Sequence, residues 1–213
     1  ELTETLEKLK SKIGQRQEFE RDKQVLIQKA QKNEDYMRSK LLTQLLNGEP
    51  VSLTEEILQN QYGITLKAGL IQLFSLKMDC EEEALGVSSV SVLMEKALEI
   101  LDRNLREKGL DPIMECQGFY CIGLLNYESR QQEDVRRILK NALAQMELQK
   151  AIFKSVEFSM ALGKAVRRAE ELEDAGPELS RLICQRLVKG SGRILEQQEN
   201  YSSLQGERLL DKY

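Results

Sequence analysis

Histidine and tryptophan are missing from this 213-residue chain, aromatic residues make up only 5% of it, and there are just three prolines. Without an imidazole, the Ser-His and Cys-His nucleophile systems are excluded, as are the usual neutral-pH acid/base residue and any zinc set built on histidine. The scarcity of rings leaves the core to aliphatic side chains. Long apolar runs are lacking too, none approaching the roughly 18–20 residues a membrane span needs, and the charged N-terminus has no signal-peptide pattern. A cytoplasmic protein with no membrane partner is expected. Nor is there an excess of positive charge: the net charge is −4 and the pI about 5.3, which argues against a broad basic face for a phosphate backbone. DNA is therefore not expected to bind to this chain directly.

Cysteine is present but sparse. Cys80, Cys116, Cys121 and Cys184 sit in apolar segments without a repeated CxxC, which predicts buried reduced thiols rather than a metal site or a disulfide framework. What remains is ordinary for a soluble mixed domain, with 41% hydrophobic and 31% charged residues.

From Leu2 to about Leu46 the chain has no proline and one glycine, Gly14, amid Glu, Lys, Gln and Arg, a composition that predicts one long helix. Leu2, Leu6, Leu9 and Ile13 are spaced as a heptad seam, and after a stutter a shifted stripe continues through Phe19, Leu26, Ala30, Asn33, Met37, Leu41 and Leu45. A homodimeric coiled coil is expected, with Asn33 fixing its register. The alternative is a single amphipathic helix lying on its own domain. Asn47-Gly48-Glu49-Pro50 stops the helix, and Ser52 or Thr54 caps a short one running to Tyr62.

Beyond it the apolar periodicity alternates between strand and helix. Ala68–Asp79 reads as a strand buried on both faces, Ser89–Lys108 as a helix, and Pro112–Asn126 as a β-hairpin turning at Gln117-Gly118. Gln131–Ala151 reads as a helix whose Arg136, Arg137 and Lys140 are solvated. Ser155–Leu162 follows as a strand, Glu178–Lys189 as a helix and Arg193–Leu195 as a short strand. Gly190-Ser191-Gly192 lacks the spacing of a phosphate loop and serves as a turn. The resulting β-α-β-β-α-β order predicts an α+β fold, a ferredoxin-like antiparallel sheet with two helices on one face, preceded by the long helix. The expected parts are a connector helix over 1–48, the α+β domain over 49–196 and a polar tail or linker over 197–213.

Two stretches carry a resemblance. Tyr36–Asn47, YMRSKLLTQLLN, followed by Gly48, is similar to the "LRxxFLxxLLxG" entry that follows the receiver domain in AraC-type response regulators. Ser155–Leu195, with SVEFSMALG and LSRLICQRLVKGSGRIL, resembles the end of the central domain of that family and its "IGxG" strand. Similar middle domains occur in PucR- and CdaR-type regulators and are regarded as degenerate relatives of GGDEF diguanylate cyclases, so the resemblance implies a nucleotidyl cyclase-like fold. It also implies a two-component phosphorelay, with a receiver addressed by a sensor kinase before Glu1 and a helix-turn-helix pair that contacts DNA after Tyr213. The absence of an initiator Met is read as a chain cut from a longer polypeptide.

The same resemblance defines what an active site would need. Asp79, at the end of the first strand, matches the family's first metal-binding aspartate. The hairpin reads Glu115-Cys116-Gln117-Gly118-Phe119, with one glycine where the family has two and Phe119 where acids should stand. Glu115 is expected to point away from Asp79. The expectation is therefore a domain that is not an enzyme, with no cofactor or metal, and a vestigial ligand site at Asp79, Gln117 and Gly118. Glu81-Glu82-Glu83 reads as a solvated loop, because consecutive residues diverge. A small-molecule or nucleotide sensor is the competing reading.

Overall fold

The structure, a computed structural model, describes residues 2–80, 87–149 and 156–197. Glu81-Glu82-Glu83, the last two residues of the helix expected over Gln131–Ala151, the first residue of the strand expected over Ser155–Leu162 and all but the first residue of the tail expected over 197–213 lie outside the described residues. α1 (Leu2–Asn47) is one unbroken helix of 46 residues. Gly48 ends it at φ +66°, with the Gly48 and Glu49 amides donating back to the Leu45 and Gln44 carbonyls at 3.2 and 3.0 Å. That closure satisfies carbonyls a helix end otherwise leaves unpaired. α2 (Glu55–Tyr62) starts at Thr54, whose hydroxyl accepts from the Ile57 amide at 3.2 Å.

Five strands form one sheet in the order β2-β3-β1-β4-β5. They are β1 (Leu70–Asp79), β2 (Ile113–Gln117), β3 (Tyr120–Tyr127), β4 (Glu157–Leu162) and β5 (Ile194–Glu196). The first four pair antiparallel in the ferredoxin-like order, while β5 adds to β4 in parallel. The α+β, cyclase-like architecture expected from the sequence is what the chain adopts.

Helices cover both faces of the sheet, one face more than the periodicity implied. α3 (Val87–Arg106) and α4 (Gln132–Leu148) lie on the first. There Leu70, Phe74, Leu76 and Met78 of β1 join Met94, Leu101, Leu139 and Met146 in one cluster. The end of α1 and α5 (Ala175–Cys184) cover the second, where Ile71 and Leu73 pack with Leu41, Leu42, Leu45, Leu179 and Ile183. A strand sandwiched between two helical layers must be apolar on both sides, which is why β1 reads as a continuous hydrophobic run. Burying each of these large side chains contributes about 1.5–3 kcal/mol.

α1 therefore has two characters. Leu41, Leu42 and Leu45 are fully buried, and Met37 packs against the same cluster. About three turns further up, Val25, Leu26 and Ile27 are exposed, and between them and the core so are Ala30, Asn33 and Tyr36. The side chains of Leu2, Leu6, Leu9, Ile13 and Phe19 lie outside the described residues. Gly176 makes the docking of α1 possible: a Cβ there would fall 1.6 Å from the Leu45 carbonyl oxygen, so only glycine lets α5 approach that closely.

Candidate functional site

The end of β1 and the hairpin beside it were the expected site, and the alternation of the strands decides what they can do together. Along β1, Met78 faces α3 and α4, so Asp79 shares the opposite face with Ser75 and Lys77. There α6 (Arg186–Lys189), the short turn after α5, brings a guanidinium onto it. Arg186 Nε donates to both Asp79 carboxylate oxygens, at 2.9 and 3.1 Å, and its Nη1 donates to the Ile183 carbonyl at 3.2 Å. The Arg186 side chain is only 14% exposed and that of Asp79 33%. Asp79 is thus held by a charge partner rather than facing solvent. Sequence reasoning missed Arg186 because nothing local links it to the strand end; it lay in an ordinary basic helix terminus.

Glu115 corrects the expected phase. In the ladder it pairs with Ile122, which pairs with Ser75, and directly paired residues share a face. Glu115 therefore lies on the Asp79 side of the sheet, not away from it, though it stands level with Ser75, four residues before Asp79. The turn also sits one residue later than expected. Gln117 is the last residue of β2 and pairs with Tyr120, leaving Gly118-Phe119 as the two-residue turn, with Gly118 at φ +58°. A positive φ at the first central position is what a tight hairpin of this kind requires.

From that tip the named residues diverge. Gln117 leaves the sheet end and donates from Nε2 to the Thr43 hydroxyl of α1 at 3.0 Å. Gly118 lines an open cleft of about 520 Å³ on the opposite face, between α3 and β2. Asp79 does not line it. The structure thus separates the three expected ligand residues into an ion pair, a helix contact and a cleft wall.

The cleft has an apolar floor of Met94, Leu98 and Met114 and a rim carrying Glu95, Glu99 and Asp102. Glu99 pairs with Lys96 at 2.7 Å and Asp102 with Arg106 at 2.9 Å, so two of the three acids are already partly neutralised by their own helix. Its volume suits a drug-sized ligand. An acidic rim offers acceptors to the N–H edge of a heterocycle, and any polyphosphate attached to it needs a counter-cation. Among the described residues, no cluster of three or more acidic or thiol groups converges as a metal site.

Two buried phenols at opposite ends of β3 are strongly perturbed. Burial pushes Tyr120 up to about 12, with the neighbouring Ser75 hydroxyl working the other way. Tyr127, which donates to buried Gln72, is also pushed up to about 12 by burial. Gln72 in turn donates to the Gly163 carbonyl at 2.7 Å. Neither phenol lines the cleft. Two basic residues of α4 are engaged at the surface: Arg136 pairs with Glu196 at 2.7 Å and Arg137 with Asp134.

No protein-family profile matches the chain, and no curated protein sequence does. Solved structures do. The active GGEEF domain of a diguanylate cyclase from Vibrio cholerae superposes with a TM-score of 0.51 at 7% identity, over 76% of this chain and 96% of that one. A bacterial light-regulated adenylyl cyclase aligns with a TM-score of 0.36 at 13% identity, over 55% of this chain and 72% of that one. The class defined is thus the GGDEF-type, cyclase-like fold. This overturns the expectation that the chain is not an enzyme: the architecture is one on which an active diguanylate cyclase is built, so the fold is compatible with catalysis. Among the described residues no helix is long and apolar enough to cross a membrane.

Proposed function

We propose that the chain is a cyclase-fold signalling module of a two-component transcriptional regulator. In this reading α1 pairs with α1 of a second copy, residues 1–48 connect a receiver addressed by a sensor kinase to the domain over 49–196, and the output is an AraC-type helix-turn-helix domain on DNA. The observation that carries it is the split character of α1, whose last turns are built into the core at Leu41, Leu42 and Leu45 while Val25, Leu26 and Ile27 stand exposed. A rigid helix with one end embedded and an apolar surface further up suits transmission of a twist or shift from a partnered helix to a sheet. Sedimentation of this chain and of a Leu6→Asp/Ile13→Asp variant tests it. A dimer that the double substitution dissociates supports the reading, and a monomeric parent sinks it.

A second reading is favoured by the cleft beneath α3: the domain takes a nucleotide or another small heterocycle there, with Glu95, Glu99 and Asp102 as acceptors. Thermal shift with GTP, ATP and their cyclic products, followed by incubation with each triphosphate and Mg²⁺, measures both binding and turnover. Binding lost in Glu95→Lys supports this reading. The absence of any shift rejects it.

A further inference from the structure

Cys116 and Cys121 are directly opposite one another on β2 and β3. Gln117 and Tyr120, which flank the two-residue turn, form the first pair of the ladder, and the cysteines form the second. In an antiparallel hairpin the pair next to the turn is hydrogen-bonded and the following one is not; in such non-hydrogen-bonded pairs the Cα atoms approach to about 4.5 Å and the side chains lie closer. Directly paired residues also share a face. Both thiols belong to the α3 side, Cys121 in the core cluster and Cys116 packed against it. That separation falls within the range a disulfide spans, roughly 4.4–6.8 Å between Cα atoms. Both cysteines are free.

We infer that Cys116 and Cys121 are a cross-strand redox pair that closes to a disulfide under a peroxide-type oxidant. The two residues are unequal. Cys121 is fully buried, whereas Cys116 is half-buried and lines the cleft, so an oxidant meets Cys116 first. The Cys116 sulfur, as thiolate, attacks one peroxide oxygen. The O–O bond breaks, and the departing hydroxide takes up the thiol proton as water, leaving Cys116 as a sulfenic acid. Cys121 sulfur then attacks the Cys116 sulfur; the S–O bond breaks, and the hydroxide released takes up the Cys121 proton as a second water. Two thiols lose two electrons, and one peroxide becomes two waters.

Burial raises the thiol pKa of both residues, and the adjacent Glu115 carboxylate raises them further. Because the thiolate is the reactive form, closure is slow at neutral pH and answers sustained oxidation rather than a brief pulse. Its effect is local. The bridge stiffens the tip from which Gln117 reaches Thr43 of α1 and Gly118 lines the cleft, so it acts on both surfaces on which the proposed function depends.

The test uses the whole chain, treated with hydrogen peroxide while folded, then unfolded in denaturant, alkylated and mapped by mass spectrometry without reduction. The expected result is a peptide linking Cys116 to Cys121, two of the four thiols lost and both recovered with dithiothreitol. In Cys121→Ser, dimedone should trap Cys116 as the sulfenic acid. In Cys116→Ser, Cys121 should stay reduced, because its only accessible route runs through the missing sulfur. Cys116 and Cys121 remaining alkylatable while exposed Cys184 is oxidised would overturn the inference, as would links from Cys116 to any other cysteine.

Discussion

Asp79 and Arg186 are 107 residues apart in the chain and share an ion pair in which Arg186 Nε donates to both carboxylate oxygens, at 2.9 and 3.1 Å, tying the end of the central strand to the turn after α5. A charge-assisted hydrogen bond from one N–H shared between both carboxylate oxygens is stronger than a neutral one, although it lacks the parallel two-bond fork of a bidentate pair. The strand end that first reads as a metal-facing carboxylate is in this state a fastening point for α6. Any cation or ligand that used Asp79 would have to displace Arg186.

Arg186→Ala should therefore loosen α6 rather than unfold the domain. Hydrogen bonds to charged groups are worth about 1.5–3 kcal/mol, and partial exposure reduces that, so a loss of about 1–2 kcal/mol in urea unfolding is expected. Asp79→Ala should cost the same or more, because it leaves a guanidinium that is 14% exposed without its carboxylate. Equal stability of parent and both variants would show that the pair is not formed in solution.

Gly176→Val tests how α1 is held. Its Cβ would fall 1.6 Å from the Leu45 carbonyl oxygen, which is backbone and cannot rotate away. Forcing the helices apart should cost about 1–3 kcal/mol or more and lower the thermal midpoint. An unchanged midpoint would mean that α1 and α5 do not make this contact.

Along α1 the two ends should respond in opposite ways. Leu42→Ala removes a fully buried side chain and should destabilise the domain by about 2–5 kcal/mol. Leu26→Asp, at a position 66% exposed, should leave the unfolding free energy at fixed low concentration within about 0.5 kcal/mol while weakening self-association in sedimentation. Loss of stability in Leu26→Asp at low concentration would contradict the exposed placement.

The buried phenols make a pH prediction. Tyr120 and Tyr127 are pushed up to about 12, above the ordinary value of 10.0, because burial penalises the phenolate. The native state thus holds these protons more tightly than the unfolded chain does. Their contribution is fully present below about pH 10 and is lost as pH rises toward about 12. Stability measured by urea should fall through that window, and Tyr127→Phe should flatten the fall. Ultraviolet titration showing all six tyrosines ionising together near 10 in the folded protein would refute the placement of both rings.

Much of the fold was written locally. The apolar run of Leu70–Asp79, the periodic faces of α3 and α4, the Thr54 cap and the Gly48 stop are each readable from a few neighbouring residues, because propensity and period act over one or two turns. The hairpin was legible as well, although its turn lay one residue later, since Gln117 and Gly118 are equally plausible turn residues until strand pairing fixes the register. The seam on α1 was legible only as a stripe. A leucine at a helical spacing looks the same whether it faces a second copy or its own sheet, so the packing of Met37, Leu41 and Leu45 into the domain emerged only with the fold.

The candidate site shows the same division more sharply. By itself the sequence determined an aliphatic α+β domain without histidine chemistry, a long helix before it and a hairpin at its centre, because those depend on composition and short-range period. Only the tertiary structure decided that Asp79 meets Arg186, that Glu115 shares its face, that Gln117 turns to Thr43 and that Cys116 lies opposite Cys121. Each of those relations joins different elements, and their meeting is set by strand register and helix docking, which no local pattern encodes.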